Sequence, residues 1–399
     1  MVAPDLPIGD RIRHYRQTRG GRRQDVIAGL VGITPDYLGQ IERGLKTPTI
    51  QVLHAIAQEL GVPTAALLAE APVLASTPRD STEPAIAQAL MGYGPPRSAE
   101  PVPTPALRER VEQAWRSWQT SRTRFTDAAT VLPALIADTE HAVRAHRADP
   151  GQHRNALRIS ADLYFLLRSY LRRTGRVDLS LMAADRAVRA AEDADDPLRI
   201  AAAQWNLGHV LLAADEPDGA EQVVLRAAEA IKQEAIEEEK RAAMAGALQL
   251  VSVVAAARRR DWWTARDRLN KARTTAQHVG EGNVAWTVYG PVNVELHRVS
   301  IEMEAGEAGE ALRMADAVDT SGLPSMEREF TFLLEVARCY DLRREDSAVL
   351  LHLLELEQMA PEDLARQPMA RDMLLGLIRR ARAMHARQAE ALAGRVGVL

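Results

Sequence analysis

The chain has 399 residues, a formal net charge of −4 and one cysteine, Cys339. This length predicts two or more domains, because a single hydrophobic core rarely grows so large. Hydrophobic residues make up 46% and charged residues 26%, which is the composition of a folded globular protein. The lone cysteine excludes an intramolecular disulfide and a cysteine-based zinc site. It indicates a small buried side chain in a reducing cytoplasm.

No segment approaches the roughly 20 apolar residues that span a bilayer, and the N-terminal segment lacks the apolar core of a signal peptide. We therefore expect a cytoplasmic protein that is neither exported nor membrane-embedded. Clustered cations attract phosphate groups, and one cluster stands out despite the negative net charge. It consists of Arg11, Arg13, Arg16, Arg19, Arg22 and Arg23.

Five short helices are predicted in residues 1–70. The first begins near Ile8 and ends at Gly20-Gly21, and the second runs over residues 24–31. Gly32 supplies a turn, and Thr34 caps a third helix that ends at Gly44. Two more helices follow, over residues 50–60 and 63–69. The expected core side chains are Ile8, Ile12, Tyr15, Val26, Ile27, Leu30, Ile33, Leu38, Ile41, Val52, Leu53, Ile56, Leu60, Leu67 and Leu68.

A helix, a short glycine turn and a second helix form the arrangement in which the second helix enters the major groove of DNA. Side chains of this second helix that do not face the core are available to bases. They are Thr34, Pro35, Asp36, Tyr37, Gly39, Gln40 and Arg43. An amide such as that of Gln40 can pair with adenine, whereas a carboxylate such as that of Asp36 can only accept, most plausibly from cytosine.

The segment GRRQDVIAGLVGITPDYLGQIERGLKTPTIQVLHAIAQELGVP resembles the xenobiotic-response-element (XRE) family of λ/434-repressor-like domains. The resemblance covers residues 8–70. It implies that Gln24 binds a phosphate, that Thr34, Asp36 and Gln40 occupy base-reading positions, and that the following loop grips the DNA backbone. The loop residues concerned are Arg43, Lys46 and Thr47.

Two departures from the family pattern and one pair of charges accompany this resemblance. Pro35 stands where relatives often carry a polar side chain, and the turn after the first helix is one residue longer than usual. The operator therefore cannot be borrowed from relatives, and specificity can rely on DNA shape. Arg16 and Glu42 match a pair that often forms a salt bridge, although two independent solvated charges are an equal alternative.

Residues 71–106 contain eight prolines, which predicts an extended linker, although residues 86–91 could form a docking helix. From residue 107 to 399 the pattern is helical. One segment matches a tetratricopeptide unit, with Leu207, Gly208, Ala220, Val224 and Ala227 at the expected spacings. Weaker copies begin at Ser180, Ala265, Ala311 and near Ala348, so their separations exceed the standard 34 residues. We expect an all-α protein with a five-helix λ-repressor-like domain and a tetratricopeptide-like solenoid.

The first helices of such a solenoid line a concave surface that suits ligands. Aromatic, amide and imidazole side chains would recognise a peptide backbone or a polar molecule there. The candidates are Trp205, His209, Trp286, Tyr289, Asn293 and His297. For any single one of them, packing between repeats is an alternative explanation.

The sequence contains no recognisable catalytic motif, phosphate loop or dinucleotide fingerprint, so no enzyme, metal site or cofactor is predicted. An XRE domain joined to such repeats is similar to peptide-responsive quorum-sensing regulators of Gram-positive bacteria and to a group of actinobacterial regulators. This resemblance implies that the protein forms a homodimer on a palindromic operator. It also implies that the repeats of the protein bind a peptide or small-molecule effector. The alternative is a DNA-tethered adaptor whose repeats recruit a partner protein.

Overall fold

The computed structural model describes residues 8–18, 22–62, 64–68, 83–92 and 100–398. All regular secondary structure in these ranges is helical, which confirms the predicted all-α class. The chain divides into two compact units, Met1–Pro78 and Arg79–Leu399.

Five helices lie in the described part of the first unit, as predicted. They are α1 (Ile8–Thr18), α2 (Gln24–Val31), α3 (Pro35–Glu42), α4 (Ile50–Leu60) and α5 (Thr64–Leu68). Gly32 ends α2 in the left-handed region, with φ 76°, a conformation that costs glycine little. The hydroxyl of Thr34 accepts a hydrogen bond from the Tyr37 backbone N–H, and Pro35 occupies the first turn of α3. The predicted glycine turn and Thr34 cap are therefore confirmed.

The core of the first unit differs from the sequence prediction at five positions. Ile12, Ile27, Leu38, Ile41, Leu53, Ile56, Leu60 and Leu67 are buried as expected. Val26, Leu30 and Leu68 are instead 46%, 57% and 49% exposed. Conversely, two residues expected to face outward do not: Gly39 is buried, and Tyr37 is half-buried and packs against the core. Short helices contact the core along a narrow stripe, so apolar residues one position away from it remain accessible.

Sixteen α-helices are described in the second unit. They are α6 (Glu83–Met91), α7 (Thr104–Thr120), α8 (Arg124–Ala145), α9 (Pro150–Arg173), α10 (Val177–Asp193), α11 (Pro197–Ala213), α12 (Pro217–Ile231), α13 (Glu238–Arg258), α14 (Trp262–Val279), α15 (Pro291–Glu304), α16 (Ala308–Ala315), α17 (Met326–Leu342), α18 (Asp346–Met359), α19 (Pro361–Arg366), α20 (Pro368–Arg380) and α21 (Ala383–Arg395). A single 3₁₀ turn, Val284–Trp286, precedes α15.

Helices α9 to α18 form five successive helix pairs, and each pair turns at one residue in the left-handed region. These residues are Gly175, Asp215, Arg260, Gly306 and Arg344. Their separations of 40, 45, 46 and 38 residues closely follow the spacings of the small-residue copies in the sequence. The first helix of each pair also contacts the first helix of the next pair. The second unit is therefore a helical-repeat region with two layers of helices.

Small residues set the distance between the helices of a pair. A Cβ added to Gly208 on α11 would lie 2.6 Å from Val224 Cγ1 and 3.1 Å from Val251 Cγ1. Ala220 and Val224 on α12 are fully buried, as are Ser180 on α10 and Ala265 on α14. The small residues that identified the repeats in the sequence therefore lie in the contacts between helices.

Within the segment predicted as a linker, the alternative of a docking helix is confirmed. Ile86 and Leu90 of α6 are 0% and 1% exposed and join the core of the second unit, where α6 packs against α8. Residues 69–82 and 93–99 lie outside the described part of the chain.

One described helix, α13, is long and apolar enough to cross a membrane by length and composition, but 72% of that stretch is buried inside the protein. Core helices commonly pass the same test. Cys339 is buried as predicted, and burial raises the pKa of its thiol to about 12.

Candidate functional sites

Helix α3 presents two polar side chains that contact each other. The Gln40 side-chain amide donates a 2.8 Å hydrogen bond to Asp36 Oδ2, one helical turn away. Thr34, Pro35 and Asp36 are exposed, whereas Tyr37 and Gln40 are half-buried. The Tyr37 ring packs against the domain core. Asp36 and Gln40 thus form one polar patch on the exposed side of the helix.

A buried hydrogen-bond network holds α3 against α1 and α2. Glu42, only 4% exposed, accepts hydrogen bonds from Arg16 Nε at 2.7 Å and Arg16 Nη2 at 2.9 Å. The Gln24 side-chain amide donates to the same carboxylate at 2.6 Å. The hydrogen bond from Arg16 to Glu42 raises the pKa of Arg16. The salt bridge between Arg16 and Glu42 is therefore confirmed. Together with the hydrogen bond from Gln24, it joins α1, α2 and α3.

This network changes the expected role of Gln24. One hydrogen of its amide is engaged by Glu42, so only the second remains to reach a phosphate oxygen. The primary amide carries both functions only if it bridges the carboxylate and the DNA backbone. No local pattern in the sequence indicates that Gln24 contacts Glu42.

Several arginines of the basic cluster are buried or already paired within the domain, so fewer of them are available to bind DNA than the sequence suggests. Arg11 is 5% exposed, Arg16 pairs with Glu42, Arg22 donates to the Glu59 carbonyl oxygen and Arg23 pairs with Asp25. Arg19 lies outside the described residues. Two exposed cations, Arg43 and Lys46, directly follow α3, and Thr47 beside them is also exposed. The Arg43 side chain lies close to Gly39, and this explains why that glycine is covered.

Comparison with known proteins agrees with this geometry. A helix-turn-helix domain family matches residues 7–71. These residues are a helix-turn-helix domain. The curated protein "HTH-type transcriptional regulator DdrOP3" from Deinococcus deserti is 37% identical over 57 residues, which are 14% of this chain and 43% of that protein. The chain therefore matches less than half the length of this curated relative.

Two solved structures of regulators show weak overall similarity. A crystal structure of Bacillus thuringiensis PlcR with the peptide PapR7 and DNA aligns over 86% of this chain and 98% of that one, with 10% identity and a TM-score of 0.32. The apo form of the competence regulator ComR from Streptococcus vestibularis aligns over 98% of each chain, with 12% identity and a TM-score of 0.23. Both scores are low, and the repeat architecture rests on the helix contacts described above.

The helix-turn-helix domain is followed by repeats in which four of the six expected ligand residues lie on first helices of the pairs. On α11, the rings of Trp205 and His209 meet edge to face at 4.4 Å. On α15, Asn293 is 2% exposed and its side-chain oxygen has no hydrogen-bond partner in the described residues. His297 Nδ1 lies 2.8 Å from the Asn293 carbonyl oxygen.

The remaining two expected ligand residues have other surroundings. Tyr289 is 1% exposed, its ring lies against Gly246 and its hydroxyl donates to the Ala272 carbonyl oxygen. The Trp286 ring stacks on Trp115, with centroids 5.1 Å apart, and lines a separate cavity of about 240 Å³. Tyr289 is therefore a core residue, which is the packing alternative stated for it.

Arginines on the first helices were missed by the sequence analysis. Arg168 is 2% exposed, and its Nε donates a 2.7 Å hydrogen bond to Asn206 Oδ1. Its guanidinium lies 5.4 Å from the Trp205 ring centroid. Arg172 follows one turn later, and Arg328 is on α17. The signal was an arginine inside the apolar run LYFLLRSYL, where a charge is costly unless it is paired or functional.

The described residues contain no group of three or more His, Cys, Asp or Glu side chains that could hold a metal ion.

Proposed function

We propose that this chain is a sequence-specific DNA-binding transcription regulator in which α3 reads the major groove. The observation that carries this proposal is the exposed Asp36–Gln40 patch on a helix held by the buried Arg16–Glu42–Gln24 network. A rigid helix with a few exposed hydrogen-bonding groups is what direct readout of base edges requires.

The other expected contacts follow from positions around α3. Thr34 and Tyr37 lie at its N-terminal end, which approaches the bases in helix-turn-helix complexes. Arg43, Lys46 and Thr47 are exposed just after it and would bind backbone phosphates on the same side. These phosphate contacts contribute affinity and register, whereas the Asp36–Gln40 patch contributes specificity.

A dimer on a palindromic operator completes the proposal. A single recognition helix covers few base pairs, and two copies related by a two-fold axis meet half-sites about 34 Å apart. The repeat region would supply the dimer contact, and the protein would act in the cytoplasm, where it reaches the chromosome.

Gel shifts with genomic fragments, followed by footprinting, should reveal a protected inverted repeat. Simultaneous Asp36→Ala and Gln40→Ala substitution should weaken operator binding about 10- to 100-fold, because two base-reading groups are removed. Gln58→Ala is the matched control, since Gln58 is exposed on α4. Unchanged operator binding by a folded double variant would contradict the assignment of α3.

The repeat region, in this proposal, senses a peptide or small molecule. Its support is the set of aromatic, imidazole and amide side chains on first helices, Trp205, His209, Asn293 and His297. Native mass spectrometry of the purified full-length protein should show a bound peptide or metabolite. A stoichiometric protein partner without such a ligand would instead identify the repeats as an adaptor.

A further inference from the structure

The first helices of the repeats bring together a group of arginines, histidines and one tryptophan. Arg168 and Arg172 lie one turn apart on α9, and the guanidinium of Arg168 lies near the Trp205 ring of α11, which in turn meets the His209 ring. Burial lowers the pKa of His209 well below its usual value, and Arg168, Arg172, Arg328 and His297 lower it further. These groups come from α9, α15 and α17, and the ion pair between Arg173 of α9 and Glu327 of α17 brings the end of α9 to the start of α17.

Three guanidinium groups near this ion pair have no carboxylate partner among the described residues. Glu327 pairs with Arg124 and Arg173. In the described part of the chain, no carboxylate oxygen lies within ion-pair distance of the inner arginines, and Arg172 Nε has no hydrogen-bond partner. These inner arginines are Arg168, Arg172 and Arg328. Guanidinium groups keep their protons in proteins, so positive charge accumulates here without full compensation.

The pKa values of the inner arginines reflect this imbalance. Burial, together with Arg172, lowers the pKa of Arg168 well below its ordinary value. Burial and Arg173 lower the pKa of Arg172 to about 10. Burial also lowers the pKa of Arg328, and Glu327 opposes the lowering at all three arginines. Such a cluster is unfavourable for the unliganded protein and becomes favourable when an anion enters.

The neighbouring titratable groups do not remove the imbalance near neutral pH. Burial and Arg328 lower the pKa of His297 to about 4, so both imidazoles are neutral. Burial raises the pKa of Glu335 to about 8, and Ser300 donates a 2.9 Å hydrogen bond to it. Burial likewise raises the pKa of Glu304. At pH 7 most Glu335 side chains are therefore protonated and do not neutralise Arg328.

We propose that this inner cluster binds an oxyanion, a carboxylate or phosphate group, of the effector, with Arg168, Arg172 and Arg328 as its cationic donors. The inference rests on the proposed sensing function and adds the chemical class of the ligand. Guanidinium groups bind carboxylate and phosphate through paired hydrogen bonds. The Trp205 ring supplies an apolar wall, and the unpartnered oxygen of Asn293 can accept a hydrogen bond from the rest of the ligand.

Isothermal titration of the full-length protein with defined anions tests this assignment. Inorganic phosphate and citrate separate the two oxyanion types, and an alanine pentapeptide with a free C-terminal carboxylate is compared with its amide. At least one anion should bind saturably. Arg172→Gln and Arg328→Gln should each weaken binding about 10-fold or more, the value of a lost charge-assisted hydrogen bond. Arg313→Gln, whose side chain is 71% exposed on α16, should bind like the wild type.

Thermal unfolding without added anion separates a binding role from a purely structural one. Because Arg172→Gln and Arg328→Gln relieve repulsion, each should raise the Tm of the unliganded protein by about 2 °C, whereas Arg313→Gln should leave it unchanged. A lower Tm for both variants, or no binding of any anion by the wild type, would overturn the inference. The gel shift is independent: operator binding with no anion binding would reject this cluster's role and leave the DNA-binding proposal intact.

Discussion

At the scale of single residues, the buried Glu42 carboxylate organises α3, the proposed recognition helix. It accepts hydrogen bonds from Arg16 of α1 and Gln24 of α2, so one side chain fixes the mutual position of three helices. The Arg16 side chain is 11% exposed and that of Glu42 3%, so water screens this pair poorly.

Glu42→Gln should destabilise the helix-turn-helix domain by about 2 to 4 kcal/mol, because Arg16 then keeps a largely buried charge without its partner. Amide hydrogen exchange of the full-length protein should show faster exchange in α1, α2 and α3. Glu59→Gln is the control, since Glu59 and Arg22 are 3.7 Å apart and 36% and 45% exposed. We expect about 0 to 1 kcal/mol for this exposed pair. Equal effects of the two substitutions would argue against a special role for Glu42.

At the scale of helices, the repeats depend on close contact between α11 and its neighbours. Gly208 allows this contact, because any side chain there would meet Val224 of α12 and Val251 of α13. The small-residue pattern in the sequence therefore reflects the distance between helix axes. The residues with left-handed backbone conformation, one in the turn of each helix pair, recur at nearly the same separations as these small residues.

Gly208→Ala should destabilise the repeat region by about 1 to 3 kcal/mol, since the added methyl group overpacks the contact of three helices. Gly219→Ala is the matched control on α12, where the nearest atom would be 3.8 Å away. It should be neutral or slightly stabilising, because alanine favours the helix over glycine. Urea unfolding followed by circular dichroism measures both. A neutral Gly208→Ala variant would show that the helices can separate at little cost.

At the scale of the whole molecule, the second unit joins its early and late helices by a buried cluster of charges. Arg124 of α8 is 0% exposed and binds Asp363 of α19, which is 1% exposed. It also pairs with Glu327 of α17 at 3.1 Å, and its guanidinium lies 4.5 Å from the Trp118 ring centroid. These contacts join residues more than 200 positions apart. Helix α8, which precedes the five pairs, is thus held to α17 of the last pair and to α19, which follows it.

Asp363→Asn should weaken this connection by about 3 kcal/mol, because Arg124 loses a buried ionic partner. Hydrogen exchange should increase in α19 and at the start of α8, while the helix-turn-helix domain stays unchanged. Asp185→Asn is the control, as Asp185 and Arg189 are 55% and 73% exposed on α10. If exchange in α19 does not differ between the two variants, the charge cluster does not hold these helices together.

The sequence by itself determined the features that depend on neighbouring residues. Helix caps, glycine turns and small-residue spacing act over a few positions, so α3, its Thr34 cap and the helix pairs were predicted closely. The outward positions of Asp36 and Gln40 on α3 were also predicted, although the half-burial of Gln40 and its hydrogen bond to Asp36 were not. The match of residues 7–71 to a helix-turn-helix family agrees with that local reading.

Only the tertiary structure decided which distant side chains meet. The exposure of Val26 and Leu30, the burial of Tyr289 and the docking of α6 depend on how helices pack, and local patterns do not encode this packing. The inner arginines, Arg168, Arg172 and Arg328, come from two helices far apart in sequence, and only the stacking of repeats brings their charges into one space. Spatial proximity, which the order of residues does not display, produces both the candidate anion site and the Arg124–Asp363 connection.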